Sequence, residues 1–329
     1  MSRQTSPKSF HQPVNDHDLI HTLNQRYHQQ WQRAEALQAE LDDIRHSRIW
    51  RILDWLRQMK HWFIPSTTAT NDDVDMPTSG VCELDTPPTS TVSLIIPFRD
   101  RLELLRGLLR SLSNTDYKRY EIILVDNGSQ CRKTLAYLQR LKKKKRIRII
   151  RSPGSFHFAK LCNLGANVAK GDFFLFLNND MKVIESHWLQ HLLQLGERDD
   201  VGVVGATLLY PDGTVQHAGI YPRLDSTNWE HRFRGLFVDN PDNSELQFSR
   251  EVPAVTGACL LIRRTLFRKM NGFSLKFPVT GNDVDLCLRV RQADLRVVLS
   301  AHAKLMHFES LSRGYSVDKA SQQLTENEV

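Results

Sequence analysis

Along this chain, short unbroken apolar blocks end on polar clusters, and stretches of helical period lie between them. The blocks at 92–97, 120–125, 147–150 and 173–177 are too short for helices, and they read as strands buried on both faces. Between them, Leu102, Leu105, Leu108, Leu109 and Leu112 recur at helical spacing over 101–112. Further helices are expected at about 133–141, 159–169 and 188–195. Strands alternating with helices of this length predict an α/β fold, with a mostly parallel central sheet and right-handed crossovers. The second half is less regular. A strand is expected over 201–209, then the turn Tyr210-Pro211-Asp212-Gly213, then an irregular polar excursion over 220–250. The apolar run 252–262, with Thr256-Gly257 inside it, reads as a strand entering the site. A helix over 266–270 ends at Asn271-Gly272-Phe273, and another covers 283–293. A short strand over 296–299 follows, and His307 falls in a late loop past a further apolar stretch.

The N-terminal part has a different texture. Residues 1–15 are polar and read as a disordered tail. Ile20, Leu23, Tyr27, Trp31, Ala34, Leu37, Leu41 and Ile44 recur at three- and four-residue steps, so 16–63 forms a helical extension, as a short coiled coil or an amphipathic helix. Within it, Ile49, Ile52, Leu53, Leu56 and Met59 share a face widened by Trp50, Trp55 and Trp62 and flanked by Arg48, Arg51, Arg57 and Lys60. That pattern suits either contact of 47–63 with an anionic membrane surface or docking of the tryptophans on the main domain. Residues 64–90, rich in Pro, Thr, Ser and Asp, read as a linker to a domain over 91–315, and 316–329 as a tail.

Composition narrows the class. The 329 residues are 40% hydrophobic and 25% charged, as in a globular protein, with a net charge of +7. That charge suits phosphate-rich or membrane-surface partners. The basic run 142–145 reads mainly as a solvated helix-to-strand turn. The five cysteines form no CxxC pair, which argues against a zinc site or a disulfide framework. With no membrane-spanning run and no signal peptide in sight, a cytoplasmic protein is expected, held peripherally at the inner face of the plasma membrane if 47–63 meets lipid.

Chemistry collects where apolar blocks stop. Phe173 to Leu177 ends on Asn178-Asn179-Asp180, and ligands of open α/β sheets bind just beyond such carboxyl ends. One carboxylate with amide neighbours suits a hard divalent cation that already carries phosphate oxygens, or simply a polar turn. Asp126 ends the second strand block, placed for a base or ribose or as a turn former. Asp283 and Asp285 open a helix, as dipole partners or as a general base. The first strand block is not followed by GxGxxG, which argues against a dinucleotide-binding Rossmann domain.

Together the blocks resemble a known family. They are Val-Ser-Leu-Ile-Ile-Pro-Phe-Arg-Asp-Arg at 92–101, Glu-Ile-Ile-Leu-Val-Asp-Asn-Gly-Ser at 121–129, Asn-Leu-Gly-Ala from 163, and 171–180. Tyr-Pro-Asp-Gly-Thr-Val-Gln-His-Ala-Gly at 210–219, Val-Thr-Gly-Ala-Cys from 255, Asn-Asp-Val-Asp-Leu-Cys-Leu-Arg at 282–289 and His-Phe-Glu-Ser-Leu-Ser-Arg-Gly from 307 follow in order. The sequence is similar to family 2 glycosyltransferases of GT-A fold, in particular bacterial O-antigen, surface-polysaccharide and rhamnosyltransferase-like enzymes. The resemblance implies an inverting, metal-dependent transfer from a UDP- or dTDP-linked sugar to a glycan or lipid-linked glycan acceptor, with no nucleic-acid partner. It implies donor binding by Pro97, Arg99, Asp126, Asn163, Asn178, Asn179, Thr256 and Gly257. Asp180 and His307 would hold Mg²⁺ or Mn²⁺, Asp283 would be the catalytic base, and Asp285 and Arg313 would lie on the acceptor side. Asn178 stands where the family carries the first carboxylate of its DxD motif, and Asn282 where many relatives carry Glu. Relatives often continue with another helix, so a short form or a fragment is expected. Two other functions compete: a sugar-phosphate nucleotidyltransferase, which would want a Gly-rich phosphate loop, and a catalytically silent scaffold of a polysaccharide assembly complex.

Overall fold

The structure, a computed structural model, describes residues 86–222, 229–238 and 241–308. They fall within Met76–Val329, one of two units into which the chain divides. The expected tails, the helical extension with its 47–63 face, most of the linker and Arg313 lie outside the described residues.

The first half alternates as the apolar pattern predicts. In order come β1 (Val92–Phe98), α1 (Leu102–Leu112), β2 (Tyr120–Asp126), α2 (Arg132–Leu141), β3 (Ile147–Arg151), α3 (Phe158–Val168) and β4 (Phe173–Leu177). Then follow β5 (Met181–Val183), α4 (Trp188–Gly196), β6 (Val201–Leu209), β7 (Val215–His217), and the hairpin of β8 (Ile220–Pro222) and β9 (Trp229–His231). A 3₁₀ segment (Pro241–Gln247), β10 (Arg250–Glu251), β11 (Cys259–Arg263), α5 (Arg264–Lys269), α6 (Asn282–Arg291) and β12 (Arg296–His307) complete it.

One large sheet runs in the order β10-β12-β6-β11-β4-β1-β2-β3, with β5 on β12 and β7 on β6. β3, β2, β1, β4, β6 and β12 share one direction, and β11 is inserted antiparallel between β4 and β6. β4 is buried along its whole length, and its pleat feeds two cores. Phe173, Leu175 and Leu177 pack with α1, α2 and α4 on one face. Phe174 and Phe176 pack with α3, α5 and α6 on the other. Each such side chain is worth about 1.5–3 kcal/mol when fully buried, so β4, like β1, β6 and β11, ties the two cores together.

The second half departs from the sequence reading in ways that matter for the site. Of the run 252–262, only Cys259–Arg263 is strand. Thr256, Gly257 and Ala258 form the approach to it, and their amides turn toward side chains instead of a ladder. The short strand expected at 296–299 extends through twelve residues to His307. An irregularity between Ser300 and Lys304 hides that continuity from a period-two pattern. His307 is therefore the last residue of a central strand, not a loop residue. The excursion over 220–250 holds the β8–β9 hairpin, the 3₁₀ segment and β10.

Candidate functional site

The site assembles at the carboxyl edge of the parallel strands, where β4 and β12 end together. After Leu177 the chain reverses through Asn178-Asn179-Asp180 into β5, which pairs antiparallel with the end of β12, setting Met181 opposite His307. The Phe308 N–H donates to the Asp180 carbonyl at 3.0 Å and closes this corner. The result sets Asp180 Oδ1 3.2 Å from His307 Nε2, both residues being buried. A buried carboxylate demands a partner with positive character. On the other side of the ring, His307 Nδ1 lies 3.0 Å from the side-chain amide oxygen Oε1 of Gln216.

A second carboxylate reaches the same edge from α6. Gly281, at φ 76°, lets the chain enter this helix sharply, and Asp283 follows in its first turn. Asp283 Oδ2 accepts the Gly257 N–H at 2.8 Å, and Oδ1 accepts the Val284 N–H at 2.9 Å. The Asn178 N–H donates to the Ala258 carbonyl at 2.9 Å. Asp283, Gly257, Ala258 and the Asn178–Asp180 turn are thus linked by backbone bonds. Thr256, half-buried beside them, offers its N–H to His217 Nε2 at 3.4 Å. His217 Nδ1 lies 3.0 Å from His231 Nδ1 on the hairpin. Burial first, then the neighbouring His231, His307 and Arg250, holds the His217 pKa well below the usual imidazole value.

Asp126, at the end of β2, is buried and caps its own turn, with Oδ1 accepting the Ser129 N–H at 2.7 Å. Arg151 approaches Oδ2 at 3.8 Å. Pro97 lies buried opposite Val125 in the sheet register, and Arg99 follows β1 exposed. These three share the carboxyl edge with Asp180, on the adjoining strands.

Two expected residues bond at the loop before α6 and at α6 itself. The Asn163 carboxamide donates to the Phe273 carbonyl at 2.8 Å and accepts the Phe273 N–H at 2.9 Å. It clamps the loop before α6 to α3, over the Phe176–Phe273 ring contact at 4.7 Å. Asp285 pairs with Arg289 at 2.6 Å, and Arg289 also holds the Met270 and Gly272 carbonyls. Both therefore position the helix that carries Asp283, because their polar groups face that loop. Gln216 and His217 are site residues that apolar periodicity passed over. Their signal was their place inside the 210–219 block, next to a Pro-Asp-Gly turn.

Among the described residues, no cluster of three or more His, Cys, Asp or Glu side chains could hold a metal ion. Asp180 and His307 supply two donors, a carboxylate oxygen and an imidazole nitrogen. That set suits a Mg²⁺ or Mn²⁺ ion that keeps waters and takes its remaining oxygens from a substrate diphosphate.

Comparison with known proteins bears on the family and the fold. The sequence profile of glycosyl transferase family 2 matches residues 93–270. Over 229 residues the chain is 38% identical to the O-antigen biosynthesis protein RfbC of Myxococcus xanthus, covering 68% of this chain and 18% of that protein. Over 240 residues it is 25% identical to the N-acetylglucosaminyl-diphospho-decaprenol L-rhamnosyltransferase of Mycobacterium tuberculosis H37Rv, covering 64% of this chain and 73% of that protein. The chain thus spans about a fifth of the length of the Myxococcus relative. In fold it is similar to GalNAc-T7 solved with UDP, GalNAc and Mn²⁺, with a TM-score of 0.57 at 16% identity, covering 66% of this chain and 43% of that one. It is also similar to the mannosyltransferase PcManGT of Pyrobaculum calidifontis in complex with GDP-Man and Mn²⁺, with a TM-score of 0.53 at 15% identity, covering 82% of this chain and 68% of that one. The fold is the GT-A fold, and the chain belongs to glycosyl transferase family 2.

Proposed function

We propose that this protein transfers a sugar from a nucleoside diphosphate donor to a hydroxyl of a glycan or lipid-linked glycan, with inversion, in bacterial surface-polysaccharide synthesis. The observation that carries the reading is the buried Asp180–His307 pair at the strand edge, with Asp283 joined to the same turn through Gly257 and Ala258. The names of the Myxococcus and Mycobacterium relatives support the surface-polysaccharide context.

In this reading the nucleoside lies along Pro97, Arg99 and Asp126, and the donor sugar lies by Thr256 and Gly257, with Asn178 and Asn179 lining the turn between. Asp180 and His307 would hold Mg²⁺ or Mn²⁺. When bound, the cation offsets the charge that builds on the departing diphosphate. Asp283 takes the proton from the acceptor hydroxyl as that oxygen attacks the anomeric carbon from the face opposite the leaving group. Two backbone N–H groups fix the carboxylate's orientation. A positioned base of this kind is worth about a hundred- to ten-thousand-fold in rate.

The test is binding of UDP, dTDP and GDP with and without Mn²⁺. Wild type should bind one nucleotide class in a Mn²⁺-dependent manner, and Asp180→Ala should lose more than about a hundredfold of that affinity, beyond what removing a supporting group costs. Equal binding by both proteins in Mn²⁺ would exclude Asp180 as a ligand, and no nucleotide binding by wild type would exclude the transferase reading.

A further inference from the structure

We infer that Gln216 is a positioning residue that fixes the ring tautomer of His307, so that Nε2 is left as the cation-binding nitrogen. The inference rests on the reading of Asp180 and His307 as metal ligands.

Three observations converge on Gln216. The first is its place in the ladder. On β7, His217 pairs with Leu208 and Val215 pairs with Leu209, and the register shifts between them. Two steps on β7 therefore oppose one step on β6, and Gln216 is the extra residue. A bulge of this kind leaves its residue outside the ladder and re-aims its side chain, and bulges collect beside active sites. Val215, just before the bulge, is anchored: its N–H donates to the Leu236 carbonyl, and its own carbonyl accepts the Gly235 N–H, each at 2.8 Å.

The second observation is burial. Gln216 is 6% exposed, and its amide oxygen has to be satisfied inside the protein. It meets His307 Nδ1 at 3.0 Å, across 91 residues of sequence.

The third is chemistry. A carbonyl oxygen only accepts, so Nδ1 must carry the proton and donate it to Gln216. In a neutral ring that leaves a lone pair on Nε2, the atom that faces Asp180 Oδ1 at 3.2 Å. Asp180 Oδ1 and His307 Nε2 then face each other as the two atoms that would hold a divalent cation. Partners on the far nitrogen of a ligating histidine fix its tautomer and orientation, and their loss typically costs about 10- to 100-fold in metal affinity.

The experiment uses the full chain and its Gln216→Leu and Gln216→Glu variants. Nitrogen-15 correlation spectra at high pH, without metal, report which nitrogen of His307 is protonated. Mn²⁺ affinity is read from the paramagnetic resonance of the free ion, with Mn²⁺ alone and with UDP or dTDP added. Wild type should show the Nδ1–H form. Gln216→Leu should lose that preference and bind Mn²⁺ about 10- to 100-fold more weakly, with nucleotide binding in the absence of metal unchanged. Gln216→Glu, which keeps an acceptor for Nδ1–H, should restore both properties. A Gln216→Leu protein with the wild-type tautomer and Mn²⁺ affinity would overturn the assignment, as would a Gln216→Glu protein as impaired as Gln216→Leu. If wild type binds no Mn²⁺ under any condition, the metal reading falls, and the tautomer spectra alone decide whether Gln216 sets the ring.

Discussion

Asp283 differs from Asp180 in how its charge is held. Asp180 is buried against an imidazole, whereas Asp283 is half-buried and bonded to two backbone amides. Replacing Asp283 with Asn keeps an oxygen for the Gly257 N–H and removes the proposed base. Transfer should fall by about a hundred- to ten-thousand-fold with Mn²⁺-dependent nucleotide binding retained, as steady-state rates and a binding isotherm on the same preparation can check. His217 makes a separate prediction about stability. It is fully buried and its pKa is depressed, so it stays neutral when folded, while in the unfolded chain it takes a proton near pH 6.5. Below that pH the unfolded state binds more protons, so stability must fall as pH falls. Melting curves between pH 7.5 and 5 (about one pH unit above to 1.5 below that value) should show wild type losing stability more steeply than His217→Asn. One proton limits the difference in slope to about 1.4 kcal/mol per pH unit, and equal slopes would remove His217 as the cause. Asp126 and Asp180 stood out in the sequence because each follows an apolar run, and Asp283 because it opens a helix. Gln216 did not, because its role depends on a bulge and on a partner 91 residues away, neither of which any local period records.

At the level of elements, the first half of the sheet followed from the apolar pattern because β1, β4 and most of β2 are buried and each crossover is a full helix, whereas β3, read as buried on both faces, is a half-buried edge strand. Of the later strands, β6 followed as well, but β5, β11 and β12 did not. β5 has three residues, too few for a period, and β12 changes register midway. The apolar run before β11 looked like ladder because composition alone does not reveal that Thr256 and Gly257 turn their amides onto His217 and Asp283. The crossover into β4 offers a sharp test of packing. Gly171 donates its N–H to Ser93 Oγ at 2.8 Å, and a Cβ on it would stand 2.6 Å from the Ser93 nitrogen and 2.8 Å from the Val92 carbonyl carbon. Those are backbone atoms of β1 and cannot swing aside. Gly171→Ala should destabilise the fold by about 1–3 kcal/mol in a denaturant titration, whereas Gly107→Ala, with nothing within 4 Å of its Cβ, should not.

For the molecule as a whole, the question is whether the two cores, which share one sheet, unfold together. Three buried thiols report on them. Cys259 lies in the core under α1, α2 and α4, and Cys162 and Cys287 lie in the opposite one. Burial pushes the Cys287 thiol up to about 12 and raises the other two as well, so none should react in the native state. Cys131 is exposed, and the Thr134 and Lys133 backbone N–H groups lower its pKa. Alkylation followed by peptide mass spectrometry should mark Cys131 at once, and should mark Cys162, Cys259 and Cys287 with one common denaturant midpoint. Different midpoints on the two faces would mean that the sheet does not couple them.

The pairing of Asp180 with His307 joins positions 127 residues apart, and the second of them ends the last central strand. On the ribosome the chain emerges in order, so β1 to β4 and the Asn178–Asp180 turn leave the exit tunnel long before β12. A nascent or prematurely ended chain can hold the expected nucleoside side of the site, but not the pair at its centre. A chain translated short of His307 cannot form this pair, so the proposed cation site would be missing from it.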